Sequence, residues 1–202
     1  MATGAIGRNP VRPEPRSVTS APAAAPPEFL LEKTLIEKYI RDVPDFPKEG
    51  ILFKDITPLL KSPEGLALAI TGMAEAVDPD SFDLVCGIES RGFIFGTALA
   101  HKIGKGFIPI RKPGKLPWKT ASESYDLEYG TDTLEIHEDA CPGQRVLVVD
   151  DLLATGGTMA AGLNLVRRVG GDPIACIVAI ELAMLKGRER LGDVAVHTLM
   201  TV

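Results

Sequence analysis

The chain has 202 residues, of which 45% are apolar, 24% charged and 5% aromatic, enough for one domain with a substantial core and an appendage. No run approaches the roughly 18 uninterrupted apolar residues of a membrane helix, and a net charge of −5 disfavours duplex nucleic acid as partner, because phosphate neutralisation needs a basic face. Cys86, Cys141 and Cys176 are odd in number and without a CxxC spacing, which disfavours a disulfide framework or zinc ribbon and points to reduced thiols in the cytoplasm.

Residues 1–27 hold six of the sixteen prolines, and three arginines against Glu14 make the stretch +2, leaving −7 on the other 175 residues. Such a composition buries too little apolar surface to offset the entropy of ordering it. A disordered extension is expected there, with one domain over 28–202. An organellar transit peptide is the rival reading, but the prolines spoil an amphipathic helix.

From Glu28 the pattern changes. Phe29, Leu30, Leu35, Ile36, Tyr39 and Ile40 recur at helical spacing up to Val43-Pro44. Residues 45–50 (DFPKEG) read as a turn, followed by the apolar Ile51-Leu52-Phe53. Leu66, Ile70, Met73 and Val77 mark a helix that starts at Ser62-Pro63. An alternation then sets in, with strands over 83–88, 107–111, 146–149 and a last long one over 174–181, and helices over 92–103 and 158–169. Residues 113–130 show no periodicity and read as a long irregular loop. The expected class is α/β, a mostly parallel sheet flanked by helices.

The most informative stretch is Val146 to Thr158, VLVVDDLLATGGT. An apolar strand runs out into Asp150 and Asp151, then a loop Ala154-Thr155-Gly156-Gly157-Thr158 opens a helix. Ligands of open α/β sheets bind beyond the carboxyl ends of the strands. Bare N–H groups and the positive end of the helix dipole suit a phosphate there. Two carboxylates beside an anion site need another task, and accepting hydrogen bonds from a vicinal diol is the natural one. The ligand is then a sugar phosphate; the alternative is that both aspartates merely cap a turn. Neither GxxxxGK[ST] nor GxGxxG occurs, so nucleotide hydrolysis and dinucleotide binding lose their main support. Glu89-Ser90-Arg91-Gly92, between a strand and a helix, reads as a second anion site. Arg111, Lys112 and Lys115 form a basic cluster at a strand exit that taken alone is a solvated face. His101, His137 and His197 match no catalytic or metal spacing, and Cys86 and Cys176 fall in apolar strands as core thiols.

The run VVDDLLATGGT resembles the phosphoribosyl pyrophosphate (PRPP) motif of the type I phosphoribosyltransferases. FPKEGILFKDITPLL (46–60), GIESRGFIFG (87–96), IRKPGKLP (110–117), ESYDLEYG (123–130) and ELAMLKGRERL (181–191) resemble the adenine-specific branch of that family. The resemblance implies the type I phosphoribosyltransferase fold, with a small N-terminal hood and a flexible lid over 113–130. It implies transfer of phosphoribose from PRPP to adenine, giving AMP and pyrophosphate. It assigns PRPP to Glu89, Ser90, Arg91, Arg111, Lys112, Lys115, Tyr129, Asp150, Asp151 and Ala154 to Thr158, with a cis peptide between Glu89 and Ser90. Arg91 and Glu128 become the catalytic pair, Glu128 handling a proton at the base. Phe53 and Leu182 would sandwich the purine, whose edge the backbone near Leu52 and Lys54 would read. Mg²⁺ would be held mainly by PRPP and water, with no direct protein ligand, and a cytoplasmic homodimer is implied, with neither nucleic acid nor membrane as partner. A relative acting on xanthine, hypoxanthine or orotate, or a PRPP-sensing regulator on the same fold, are the competing readings.

Overall fold

The computed structural model describes residues 36–127 and 130–202. Among them the chain forms β1 (Arg41–Pro44), β2 (Leu52–Asp55), α1 (Thr57–Lys61), α2 (Pro63–Glu75), β3 (Leu84–Ile88), α3 (Arg91–Ile103) and β4 (Gly106–Ile110). A hairpin of β5 (Thr120–Leu127) and β6 (Gly130–His137) follows, then β7 (Arg145–Leu153), α4 (Gly157–Arg168) and β8 (Asp172–Glu181). Two 3-10 turns, Ala183–Leu185 and Gly187–Arg190, lead into β9 (Ala195–Thr201).

The centre is a five-stranded sheet in the order β4-β3-β7-β8-β9, parallel throughout. Successive residues of a strand point to opposite faces, and both faces of this sheet are covered. On β7, Leu147 and Val149 join a core with α2 and α3 residues such as Met73, Phe95 and Leu99. Val146 and Val148 join a second core with Met159, Leu163 and Val166 of α4. The continuous apolar runs of β3, β7 and β8 reflect this double burial. The helix expected from Ser62-Pro63 is α2, and the Ser62 hydroxyl caps it by accepting the Gly65 N–H at 3.0 Å. No helix among the described residues is long and apolar enough to cross a membrane.

Four sequence expectations need correction. The helix expected up to Val43 ends by Glu37 among the described residues, a turn follows, and residues 41–44 form β1 instead. That strand pairs antiparallel with β2, and Arg41–Asp55 (2.5 Å) and Lys54–Asp42 (2.7 Å) ion pairs cross the ladder. The strand predicted to end at Val149 runs on to Leu153, since Asp150, Leu152 and Leu153 keep pairing with β8. Strand 174–181 is not the last: β9 pairs with it along the sheet edge, and the polar His197 and Thr198 had masked its alternation. The region 113–130 is not irregular throughout, because Thr120 to Leu127 pair with Gly130 to His137 in an eight-pair hairpin. The hairpin packs on α4, where Glu123 takes an ion pair from Arg168 at 2.5 Å and a hydrogen bond from Asn164 at 3.1 Å. The extension over 1–27 and the lid residues Glu128 and Tyr129 lie outside the described residues.

Candidate active site

The carboxyl ends of β3 and β7 lie side by side in the sheet, so the two predicted anion loops are neighbours. Gly92, in the first turn of α3, brings them into contact. A Cβ there would stand 2.6 Å from the Val149 carbonyl oxygen and 3.1 Å from the Asp150 Cα, so only glycine lets the helix approach the strand this closely. Arg91 is thereby placed with its Nε 3.0 Å from the Asp151 Oδ2, on a carboxylate that is only 5% exposed. The Glu89–Ser90 peptide bond just before α3 is cis.

A cavity of about 380 Å³ opens above these strand ends. Its walls are Glu89, Ser90 and Arg91 from the β3–α3 loop, Lys112 after β4, and Asp150 to Met159 from β7 and the loop into α4. Tyr125 and Asp132 from the hairpin complete it. Gly156, at φ 84°, turns the chain into α4 without any side chain capping the helix, which leaves first-turn amides available to an anion. Asp150 accepts the Asp151 N–H at 2.9 Å. Burial pushes the Asp150 carboxyl well above the usual carboxylate range, and the charge of Asp151 adds to this. Burial also raises Asp151, with Arg91 acting in the opposite direction.

The basic cluster divides. Lys112 reaches the cavity, where its ammonium pairs with Asp132, whose carboxylate also accepts the Tyr125 hydroxyl at 3.4 Å. The Thr158 hydroxyl donates to Tyr125 at 3.3 Å, so the hairpin is linked to the start of α4. Burial acts to lower the Lys112 pKa, but Asp132 and Tyr125 outweigh it and the net direction is upward. Arg111 instead binds Glu89, with Nε at 3.1 Å from Oε2, and Glu89 also accepts the Lys112 backbone N–H at 2.9 Å. Burial raises the Glu89 carboxyl, yet these donors win and its pKa is lowered. Arg111 thus supports the β3–α3 loop, and Lys115 is exposed, its carbonyl accepting from Arg111 at 3.3 Å.

The residues predicted for the base are not among the walls of this cavity, and Phe53 meets it through Arg91. The Arg91 guanidinium lies over the Phe53 ring, 5.5 Å from its centroid, and Phe46 meets Phe53 edge-on at 5.1 Å. Leu52 is exposed, Lys54 is half-buried in its ion pair, and Leu182 follows β8 with its N–H on the Leu153 carbonyl at 2.9 Å. Sequence reasoning missed Tyr125 and Asp132. Their cue was the ESYDLEYG stretch that ends at Gly130 and the residues Thr131 to Thr133 that follow it, which make a hairpin only once the two strands are paired.

Residues 56–199 match the phosphoribosyl transferase domain. An adenine phosphoribosyltransferase of Thermobifida fusca is 55% identical over 170 residues, covering 84% of this chain and 97% of its own length. The crystal structure of adenine phosphoribosyltransferase from Thermoanaerobacter pseudethanolicus aligns with a TM-score of 0.82 at 50% identity, over 84% of this chain and 99% of that one. The Saccharomyces cerevisiae enzyme, complexed with an imino-altritol bisphosphate and adenine, aligns at a TM-score of 0.77 and 37% identity, over 84% and 99% of the two chains. The chain belongs to the type I phosphoribosyltransferases. The fold supplies their parallel sheet, and the cavity lies at its carboxyl edge. Within that family the chain is placed among the adenine phosphoribosyltransferases.

Proposed function

We propose that the chain transfers the phosphoribosyl group of PRPP to adenine, forming AMP and releasing pyrophosphate. One observation carries this reading: an acidic pair and a helix N-terminus share a cavity with the cations Arg91 and Lys112. In PRPP, ribose hydroxyls lie between a phosphate at one end and a pyrophosphate at the other. The amides and hydroxyls of Ala154 to Thr158 take the phosphate, Asp150 and Asp151 the ribose hydroxyls, and Glu89 to Gly92 with Lys112 the pyrophosphate. Arg111 holds Glu89 and the loop in place, and Lys115 adds long-range attraction at the rim.

The bond from C1 of ribose to the pyrophosphate oxygen breaks as C1 bonds to N9 of adenine. The electron pair leaves with the pyrophosphate while the ribose becomes cationic in the transition state. Arg91 and Lys112 stabilise that growing negative charge. Phe53 and Leu182 hold the purine between an aromatic face and an aliphatic side chain, with backbone groups of Leu52 and Lys54 at its edge. Glu128 receives or shares the proton of the base through N7, and Tyr129 contributes to binding PRPP. The oxygen donors at the cavity floor are of the type that a hard cation takes. Mg²⁺, held mainly by PRPP oxygens and water, would neutralise charge on the leaving group when bound. The enzyme acts in the cytoplasm as a homodimer.

The test is AMP formation from adenine and PRPP with and without Mg²⁺, with xanthine, hypoxanthine and orotate as competitors. Mg²⁺-dependent AMP formation that the other bases do not suppress is expected. Retained PRPP binding without conversion of adenine would overturn this reading in favour of a regulator or another base.

A further inference from the structure

The turn after β8 presses on the back of the loop that leads into α4. A Cβ on Gly187 would collide with the Ala154 carbonyl oxygen and stand 3.1 Å from both the Gly156 nitrogen and the Leu153 Cγ. From the other side, a Cβ on Gly156 would collide with the Gly187 carbonyl oxygen and stand 3.2 Å from its Cα. Two stretches of main chain therefore touch with no side chain between them. Gly187 is buried, although the residues on both sides of it are exposed.

The turn is itself anchored. Arg188 donates Nε and Nη2 to the two oxygens of the Glu181 carboxylate, each at 2.6 Å, and Nη1 to the Val196 carbonyl at 2.9 Å. Glu181, at the end of β8, is only 5% exposed, so the fork is fixed on a rigid strand. At the start of the segment the Leu182 N–H is bonded to the Leu153 carbonyl at 2.9 Å, and the Ala183 N–H to that of Val202 at 2.8 Å. Strands β7, β8 and β9 thus all hold the segment that backs the loop.

We propose that Gly187 is a positioning residue for the sugar-phosphate end of the substrate, and that the Arg188–Glu181 fork clamps it there. The proposal rests on the reading that residues 154–158 take the phosphate. Amides bind an oxyanion well only when held within about half an ångström of the productive geometry. A loop with two adjacent glycines does not supply that rigidity alone, and the backbone of Gly187 supplies it from behind. Arg91, Glu89 and Lys112 take their partners from Asp151, Arg111 and Asp132 rather than from this turn, so its disturbance separates the two ends of the substrate.

The experiment titrates Gly187→Ala and Arg188→Lys with ribose 5-phosphate and, separately, with inorganic pyrophosphate, alongside steady-state kinetics. Arg188→Lys keeps the charge and loses the fork. In Gly187→Ala, ribose 5-phosphate binding is expected to weaken about tenfold or more while pyrophosphate binding changes by less than about twofold. KM for PRPP rises, and kcat at saturating PRPP stays within about threefold of the parent. Arg188→Lys shows the same split at roughly threefold, and carries the test alone if Gly187→Ala does not fold. Unchanged ribose 5-phosphate binding, or equal loss of both ligands, overturns the proposal. Thr158→Val serves as the control on the loop itself. If that variant binds ribose 5-phosphate like the parent, the phosphate reading fails and the proposal with it. If Thr158→Val weakens binding and the turn variants do not, only the role of the turn is lost.

Discussion

Arg91 and Asp151 are joined at 3.0 Å, so the loop after β3 and the end of β7 hold one another at the wall of the cavity. A carboxylate this buried is tolerable because a guanidinium faces it. Removing the partner leaves an uncompensated charge inside the protein.

Arg91→Ala is therefore expected to cost both stability and activity. Arg91 is itself 37% exposed, which discounts the pair, so the loss in unfolding free energy should be about 1–3 kcal/mol. With the leaving group no longer stabilised, kcat/KM for PRPP should fall about 100-fold or more. Denaturant unfolding and steady-state kinetics on the same preparation check this. An unchanged midpoint with lost activity would show that Asp151 does not depend on Arg91.

The acidic pair predicts a pH dependence of stability. The folded-state pKa of Asp150 lies well above its ordinary 3.8, because burial and the neighbouring Asp151 disfavour the charge. The stabilisation linked to its bound proton is complete below 3.8 and is lost as pH rises through the raised folded value. Asp150→Asn has no such proton to lose. Melting temperatures between about pH 5 and 9 should shift in favour of the variant with rising pH. At the same time kcat/KM for PRPP should fall about tenfold or more if Asp150 accepts a ribose hydroxyl, since an amide nitrogen replaces one of its acceptor oxygens. A gap between the two proteins that stays constant with pH would contradict the ionisation argument.

At the opposite edge of the sheet the sign reverses. Asp83, just before β3, accepts the Arg145 backbone N–H at 2.9 Å and its Nη2 at 2.7 Å, tying the starts of β3 and β7 together. These bonds hold the Asp83 carboxyl down at about 2. The stabilisation is present above the ordinary value of 3.8 and is lost as pH falls through about 2. Asp83→Asn should lower the neutral melting temperature and flatten its decline below about pH 4, read by a thermal melt at each pH. A parent-like acid slope in the variant would remove Asp83 from the acid transition.

The parts that were legible in the sequence share one property. Strands β3, β7 and β8 are covered on both faces, so their apolar runs stand out without any knowledge of their partners. The stretch from Asp150 to Thr158 was legible as one wall of a cavity because its residues lie in one continuous run at a strand end. What escaped depends on partners distant in sequence. Strand β5 is polar in sequence except at Ala121, Tyr125 and Leu127, with Glu123 breaking that alternation, and its pairing with β6 is what makes it a strand. The resemblance assigns Arg91, Arg111 and Lys112 together to PRPP. Each is engaged by a different carboxylate, Asp151, Glu89 and Asp132, and no local pattern announces which.

Glu128 follows β5 directly in the chain. If it handles the proton of the base, Glu128→Gln should keep KM for PRPP near that of the parent while kcat drops about 100-fold. A variant with full kcat would leave proton handling to water or to the base itself.

Asp132 offers a prediction whose sign separates competition from support. Its carboxylate is paired with the Lys112 ammonium on the wall of the cavity that is to hold a pyrophosphate. Burial raises Asp132, but its bonds to Lys112 and the Thr133 N–H outweigh this and keep it charged, with the pKa lowered overall. An incoming pyrophosphate must take Lys112 from this partner and lie close to a like charge. Asp132→Asn removes the competition while keeping a similar shape and a polar contact for Tyr125. Pyrophosphate should then bind roughly threefold to tenfold more tightly, and KM for PRPP should fall, at the level expected for one charge pair near a surface. Because the product is retained longer, kcat should fall if release limits turnover, and a pre-steady-state burst of AMP would identify that limit. If Asp132 only supports Lys112, the same variant weakens pyrophosphate binding and raises KM. Calorimetric titration with pyrophosphate at low and high salt decides between them, since the gain should shrink as salt screens the pair.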